Sequence, residues 1–142
     1  MRAVLDTSVL ITALRSNAGA APEVVRLALQ RELTLLMDYK LACEYRDVAL
    51  RESHLNASGK SLAETTAILD ALESIAEPVF IAVQHLPMSP DTIDDMVLDV
   101  AINGSAEVIL TNNTRHFRQA AKRFQLKLMT PVELLIKFRA RN

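Results

Sequence analysis

The sequence predicts an α/β domain whose mainly parallel sheet is covered by helices on both faces. Short aliphatic runs alternate with segments of helical periodicity, which is the pattern of βαβ units. The runs "MRAVLD", "LTLLMD", "PVFIAV", "EVILT" and "LKLM" are also nearly continuous in apolar residues, as strands buried on both faces must be.

Taken in order, "MRAVLD" reads as a buried strand stopped by Asp6, and "TSVLITALRSN" as a helix with Thr7 or Ser8 near its cap. "APEVVRLALQRE" is a helix with Pro22 in its first turn, followed by the strand "LTLLMD". In "YKLACEYRDVALR", Leu41, Tyr45 and Val48 fall at i, i+4 and i+7, one face of a helix. "ESHLNASGK" reads as a polar connection between helices, and "SLAETTAILDALESIA" as a helix opened by a Ser61/Glu64 capping box. Two strands, "PVFIAV" and "EVILT", flank an Asp-rich helix. A helix over about 115–122, the strand "LKLM" and a helix after Pro131 complete the chain.

At 142 residues, the chain fits one domain spanning 1–142, because a single core commonly serves roughly 100–200 residues. Half of it is hydrophobic and only 23% is charged, which excludes a disordered chain. No apolar run approaches the ~20 residues that cross a bilayer, and Arg2 and Asp6 stand where a signal peptide would be apolar. A cytoplasmic protein without a membrane partner is expected. The single cysteine, Cys43, cannot form an intramolecular disulfide and is expected in the core.

The net charge of −1 hides an asymmetry: residues 1–110 carry 8 Lys/Arg against 16 Asp/Glu, whereas residues 111–142 carry 8 against Glu133 alone. Such a basic tail suits phosphate, and also suits a merely solvated surface. The acids concentrate in "SPDTIDDMVLDVAINGSAEVILTNN", where Asp91, Asp94, Asp95 and Asp99 share one helix. Acids in a first turn favour the helix dipole by ~0.3–1 kcal/mol each, a benefit that does not require four. Asp91 reads as a cap and Asp99 as surface. Asp94 flanks the apolar face near the small Ala101 and is the acid best placed to enter a crevice, with Asp95 left open as its alternative. Glu44 occupies the same boundary on its own helix.

In parallel sheets, ligands bind at the C-terminal ends of the strands, which is where Asp6 and Thr111 to Asn113 fall. Asp6 alone could simply cap a helix, and Glu44 could be a solvated glutamate. Together with Asp94 they make a carboxylate cluster whose mutual repulsion a cation would relieve. Oxygen donors without Cys or His suit Mg²⁺ or Mn²⁺, and such an ion serves hydrolysis of phosphate esters.

The segments "VLDTSVLI", "CEYRDVAL", "DTIDDMVLDVAINGSAEVILTNNTRHF" and "LMTPVELL", in this order, resemble the PIN-domain ribonucleases, especially the toxins of bacterial toxin–antitoxin pairs. The resemblance implies a three-layer α/β/α fold and metal-dependent cleavage of single-stranded RNA. It also implies metal ligands at Asp6, Glu44 and Asp94. Asn113 and His116 depart from it, standing where the family often carries acids. Asn113 is kept as a catalytic candidate through its amide, and Thr111, Arg115 and Arg118 as RNA contacts. The partners implied are RNA, a protein antitoxin and, as an open alternative, a second copy of the chain. Two other classes compete: a catalytically degenerate PIN-like module that binds RNA or protein, and an aspartate phosphoacceptor. The latter needs paired acids after the first strand and a late lysine, where this chain has Asp6 alone and Asn112.

Overall fold

The structure, a computed structural model, describes residues 1–83 and 92–141, without the side chains of residues 92 and 93. Among these residues the chain runs β1 (Arg2–Leu5), α1 (Thr7–Arg15), α2 (Ala20–Leu29), β2 (Thr34–Met37), α3 (Tyr39–Ala49), α4 (Glu52–Ser58), α5 (Leu62–Ile75), β3 (Glu77–Pro78), α6 (Thr92–Asn103), β4 (Val108–Leu110), α7 (Thr114–Phe124), β5 (Lys127–Met129) and α8 (Pro131–Arg141). The expectation for Asp91 as a cap lies outside the described residues.

The strands form one sheet in the order β3-β2-β1-β4-β5, every pair parallel. Right-handed crossovers put α1, α2, α3 and α5 on the face crossed while the chain moves from β1 out to β3. The return to β4 and β5 puts α6 and α7 on the other face, with α6 against β1, β2 and β4. Helix α8 packs on α2 and so joins the first layer. The strand order reverses between β1 and β4, and that reversal opens the crevice at their C-terminal ends.

Local chemistry sets the boundaries. Asp38 caps α3 by accepting from the Leu41 amide at 2.8 Å, and the Ser61/Glu64 capping box forms as the sequence predicts. Gly59, at φ +72°, ends α4 in the left-handed region that glycine enters without strain. The core centres on Ala3, Val4 and Leu5 of β1 and Ile109 and Leu110 of β4, all without solvent exposure.

Four expectations change. Of "PVFIAV" only Pro78 lies in β3, which begins one residue earlier at Glu77, and it is followed by a bond from the Val79 amide to the Met37 carbonyl. Beyond it the Ala82 and Val83 amides donate to the Asn103 side chain, 3.0 Å each, so a side chain takes the place of a neighbouring strand. "ESHLNASGK" is helical over Glu52–Ser58, packed on α1 and α3; with no buried side chain of its own it carries no periodic signal. Cys43 is exposed, because it lies across α3 from Leu41, Tyr45 and Val48, and that geometry outweighs the thiol's preference for the core. Asp99 is buried rather than surface. Asp6 is the N-cap of α1 with Thr7 and Ser8 directly after it, as expected near the cap, and its side chain makes no capping bond.

Candidate active site

Asp6 leaves β1 at the C-terminal edge of the sheet and is 7% exposed. Its Oδ2 accepts from the Thr111 hydroxyl and the Ser8 hydroxyl, each at 2.7 Å. Both bonds fall on one oxygen, so the carboxylate is fixed while Oδ1 keeps its acceptor capacity. Thr111 follows β4 and is fully buried, and its oxygen in turn accepts from the Asn113 amide at 3.0 Å. Thr111, expected as an RNA contact, thus spends its hydroxyl on Asp6. The Asp6 amide donates to the Leu110 carbonyl at 2.8 Å, so β1 and β4 stay joined up to the site.

On the other side of β1 the strands part. The last β1–β2 pair is Ala3 with Leu35, whereas β1–β4 pairing continues through Leu5 with Leu110. The Leu5 carbonyl takes the hydroxyl of Tyr45, which reaches over from α3. Tyr45 is buried, and desolvation, aided by the charges of Asp6 and Asp38, raises its phenol well above the usual tyrosine value. The bond ties Glu44, one residue earlier on α3, to the strand that carries Asp6. Glu44 is half-buried, and its Oε1 is shut off from solvent with no hydrogen-bond partner among the described residues. A buried carboxylate oxygen left unmatched is costly and calls for a cation or a donor.

Asp94 arrives on α6 and is 6% exposed; Asp95 beside it is half-buried. The Nδ1 of His116 on α7 stands 3.6 Å from Asp94 Oδ2, and the His116 Nε2 is 3.1 Å from the Asn113 side-chain nitrogen. The two ring nitrogens thus face different partners, Nε2 toward the Asn113 side-chain nitrogen and Nδ1 toward Asp94. Asn113 is exposed at the start of α7, as are Arg115 and Arg118.

The structure therefore joins Asp6 to Thr111 and Ser8, Glu44's helix to β1, and Asp94 to His116 and Asn113. Among the described residues, no three His, Cys, Asp or Glu side chains are gathered into a group that could hold a metal ion as they stand. The donor chemistry itself suits a hard cation: carboxylates and an amide, with an unmatched Glu44 oxygen. Sequence reasoning missed Ser8 and Tyr45 as supports of the site. Ser8 had a signal, since a hydroxyl two residues after an acid at a strand end can turn back to it. Tyr45 had none, because its partner lies 40 residues away.

No helix among the described residues is long and apolar enough to cross a membrane. No curated protein matches the chain. Among solved structures it is similar to VapBC2 from Rickettsia felis bound to a DNA fragment from its promoter, at 16% identity and TM-score 0.59 over 92% of this chain and 98% of that one. It is also similar to DNA-bound VapBC from Salmonella typhimurium, at 18% identity and TM-score 0.58 over 92% and 98%. At such identities the likeness is one of fold. The family model of the PIN domain matches residues 2–115, which takes in Asp6, Glu44, Asp94 and Asn113, and this chain belongs to the PIN-domain family.

Proposed function

We propose that the protein is an endoribonuclease that cleaves single-stranded RNA with the help of Mg²⁺ or Mn²⁺, and that it is the toxin of a cytoplasmic toxin–antitoxin pair. The observation that carries this reading is the buried Asp6 carboxylate, oriented by two hydroxyls on one oxygen, beside a helix whose Glu44 Oε1 is buried and unmatched. Asp6, Glu44 and Asp94 would hold the ion, with Asp95 as the alternative to Asp94. When bound, the ion supplies charge neutralisation at the scissile phosphate and a more acidic water.

The chain's own residues do the rest. Thr111 and Ser8 hold the Asp6 carboxylate in one orientation, so its Oδ1 needs no reorganisation to act as a ligand. Glutamate has three rotatable side-chain bonds, enough to swing Glu44 toward Asp6 once a cation attracts it. The Asn113 side-chain carbonyl can accept from a water at the rim, and its nitrogen can donate to a phosphate there. Arg115 and Arg118, one turn apart on α7, face solvent where RNA phosphates would arrive. The family membership and the likeness to VapBC complexes support an antitoxin partner.

The test is cleavage of end-labelled, unstructured RNA by the purified protein with Mg²⁺, with Mn²⁺ and with EDTA, alongside Asp6→Asn. Cleavage that needs both the ion and Asp6 supports the reading. A second reading, a degenerate module that binds RNA or protein, is favoured by Asn113 and His116 bonding to each other where carboxylates would strengthen a metal site. It wins if the protein never cleaves RNA and Asn113→Asp creates the activity.

A further inference from the structure

We propose that bound RNA runs along a cationic track that starts at the candidate site, follows Arg115, Arg118 and Lys122 down α7, and ends at Lys127, Lys137 and Arg141 on the opposite edge of the sheet. The inference deepens the RNA reading above by giving the strand a path and a second anchoring point remote from the chemistry.

Topology lays out the track. Strands β4 and β5 are parallel, so α7 must carry the chain from the C-terminal edge, where Asn113 stands, back to the N-terminal edge, where β5 begins. Its 11 residues cover about 16 Å at the helical rise. Arg115, Arg118 and Lys122 fall within about 60° of one another around the axis, opposite the buried Phe117, Ala120 and Ala121. All three are exposed. Lys127 opens β5 at the far edge and is exposed too. Helix α8 starts after the C-terminal end of β5, packs on that strand and runs back, which returns Lys137 and Arg141 to the same edge.

The far cluster is a gathering of like charges. Repulsion from Lys127 holds the Lys137 ammonium below the usual lysine value; Arg141 adds to the effect and Glu107 partly opposes it. Elsewhere half of the arginines are paired, while Arg15, Arg31, Arg123 and Arg139 form no ion pair among the described residues. Arg2, Arg26, Arg46 and Arg51 each form an ion pair with a carboxylate. Among the described residues none of the six track cations forms one. Unpaired like charges held together lower the cost of bringing in an anion, and a line of them fits a polyanion better than a single ion.

RNA is favoured over an acidic protein segment by what separates the cations. Exposed Gln119 lies between Arg118 and Lys122 on α7, Gln125 caps the helix, and the exposed large apolar residues of this end of the chain, Val132 and Ile136, lie on α8 in a cavity shared with α2. The track thus offers charge without an apolar seat, as a phosphate backbone requires.

The experiment measures binding of 5′-labelled oligouridylates of about 4, 8 and 12 nucleotides in EDTA across a salt series, for the full chain and for Lys127→Ala/Lys137→Ala. Wild type should gain affinity with length. The double variant should lose that gain, bind the longest oligomer about tenfold more weakly near 0.1 M salt, and show a log–log salt slope shallower by about 1.4, roughly 0.7 per lost contact. Circular dichroism should show an unchanged fold, since Lys127 is exposed, Lys137 is only half-buried, and their mutual repulsion is relieved. An unchanged slope and length dependence overturns the track. Binding of polyglutamate in preference to oligouridylate overturns it in favour of an acidic protein partner. Because no cleavage is needed, a protein that binds along the track yet never cuts RNA refutes the nuclease reading alone.

Discussion

Thr111 donates its hydroxyl to Asp6 Oδ2 across 2.7 Å, joining two side chains 105 residues apart in sequence at the point where the strand order reverses. The pair converts the end of a buried strand into a fixed carboxylate. Thr111→Val keeps the shape and removes the donor, leaving Ser8 as the remaining hydroxyl on that oxygen. The variant should be destabilised by about 1–2 kcal/mol and lose roughly 10–100-fold in metal affinity or cleavage. Urea melts and Mn²⁺ titration check the two effects separately, and an unaltered Mn²⁺ affinity would remove Thr111 from the site.

Asp94→Asn should abolish cleavage with the fold intact, because the amide keeps the volume and drops the charge a hard cation needs. Asn113→Asp should strengthen Mn²⁺ binding and keep or raise the rate. Circular dichroism and gel assays on unstructured RNA measure both, and full activity in Asp94→Asn would pass its role to Asp95.

Tyr45→Phe deletes the bond to the Leu5 carbonyl and leaves a buried acceptor unmatched. A loss of about 1–3 kcal/mol is expected. The phenol also links stability to pH. Its native pKa lies well above 10 and its unfolded value near 10, so between the two the native state holds a proton that the unfolded state has lost. The contribution is complete below pH ~10 and falls as pH rises through that window. Urea midpoints measured from pH 8 upward should decline more steeply in wild type than in Tyr45→Phe. Parallel curves would show that Tyr45 is not the group responsible.

Gly104→Ala should cost about 1–3 kcal/mol by overpacking, not by backbone strain. An added Cβ would stand 2.8 Å from both the Val100 carbonyl oxygen and the Val79 side chain, and Gly104 is not among the glycines with positive φ. The same junction binds Arg2, whose guanidinium donates to the Gly104 carbonyl at 2.6 Å. A thermal melt decides it; a variant as stable as wild type would mean that α6 shifts freely at its end.

Sequence by itself determined the alternation of strands and helices, the capping box at Ser61 and Glu64 and the placement of Asp6 and Thr111 at strand ends. These are local: apolar periodicity, a capping side chain three residues from its partner, and the stop of an aliphatic run each declare themselves within one turn or one strand. Tertiary structure decided what is non-local or too weakly patterned to read. It left only Pro78 of "PVFIAV" in a strand because Asn103, 20 residues beyond Val83, takes the amides a neighbouring strand would have bonded. It made "ESHLNASGK" a helix held by α1 and α3 without a buried face of its own. It turned Cys43 outward and Asp99 inward. It brought Thr111, Ser8 and Tyr45 around the end of β1, because a hydrogen bond between residues 40 or 105 positions apart exists only once the parallel sheet has set its register.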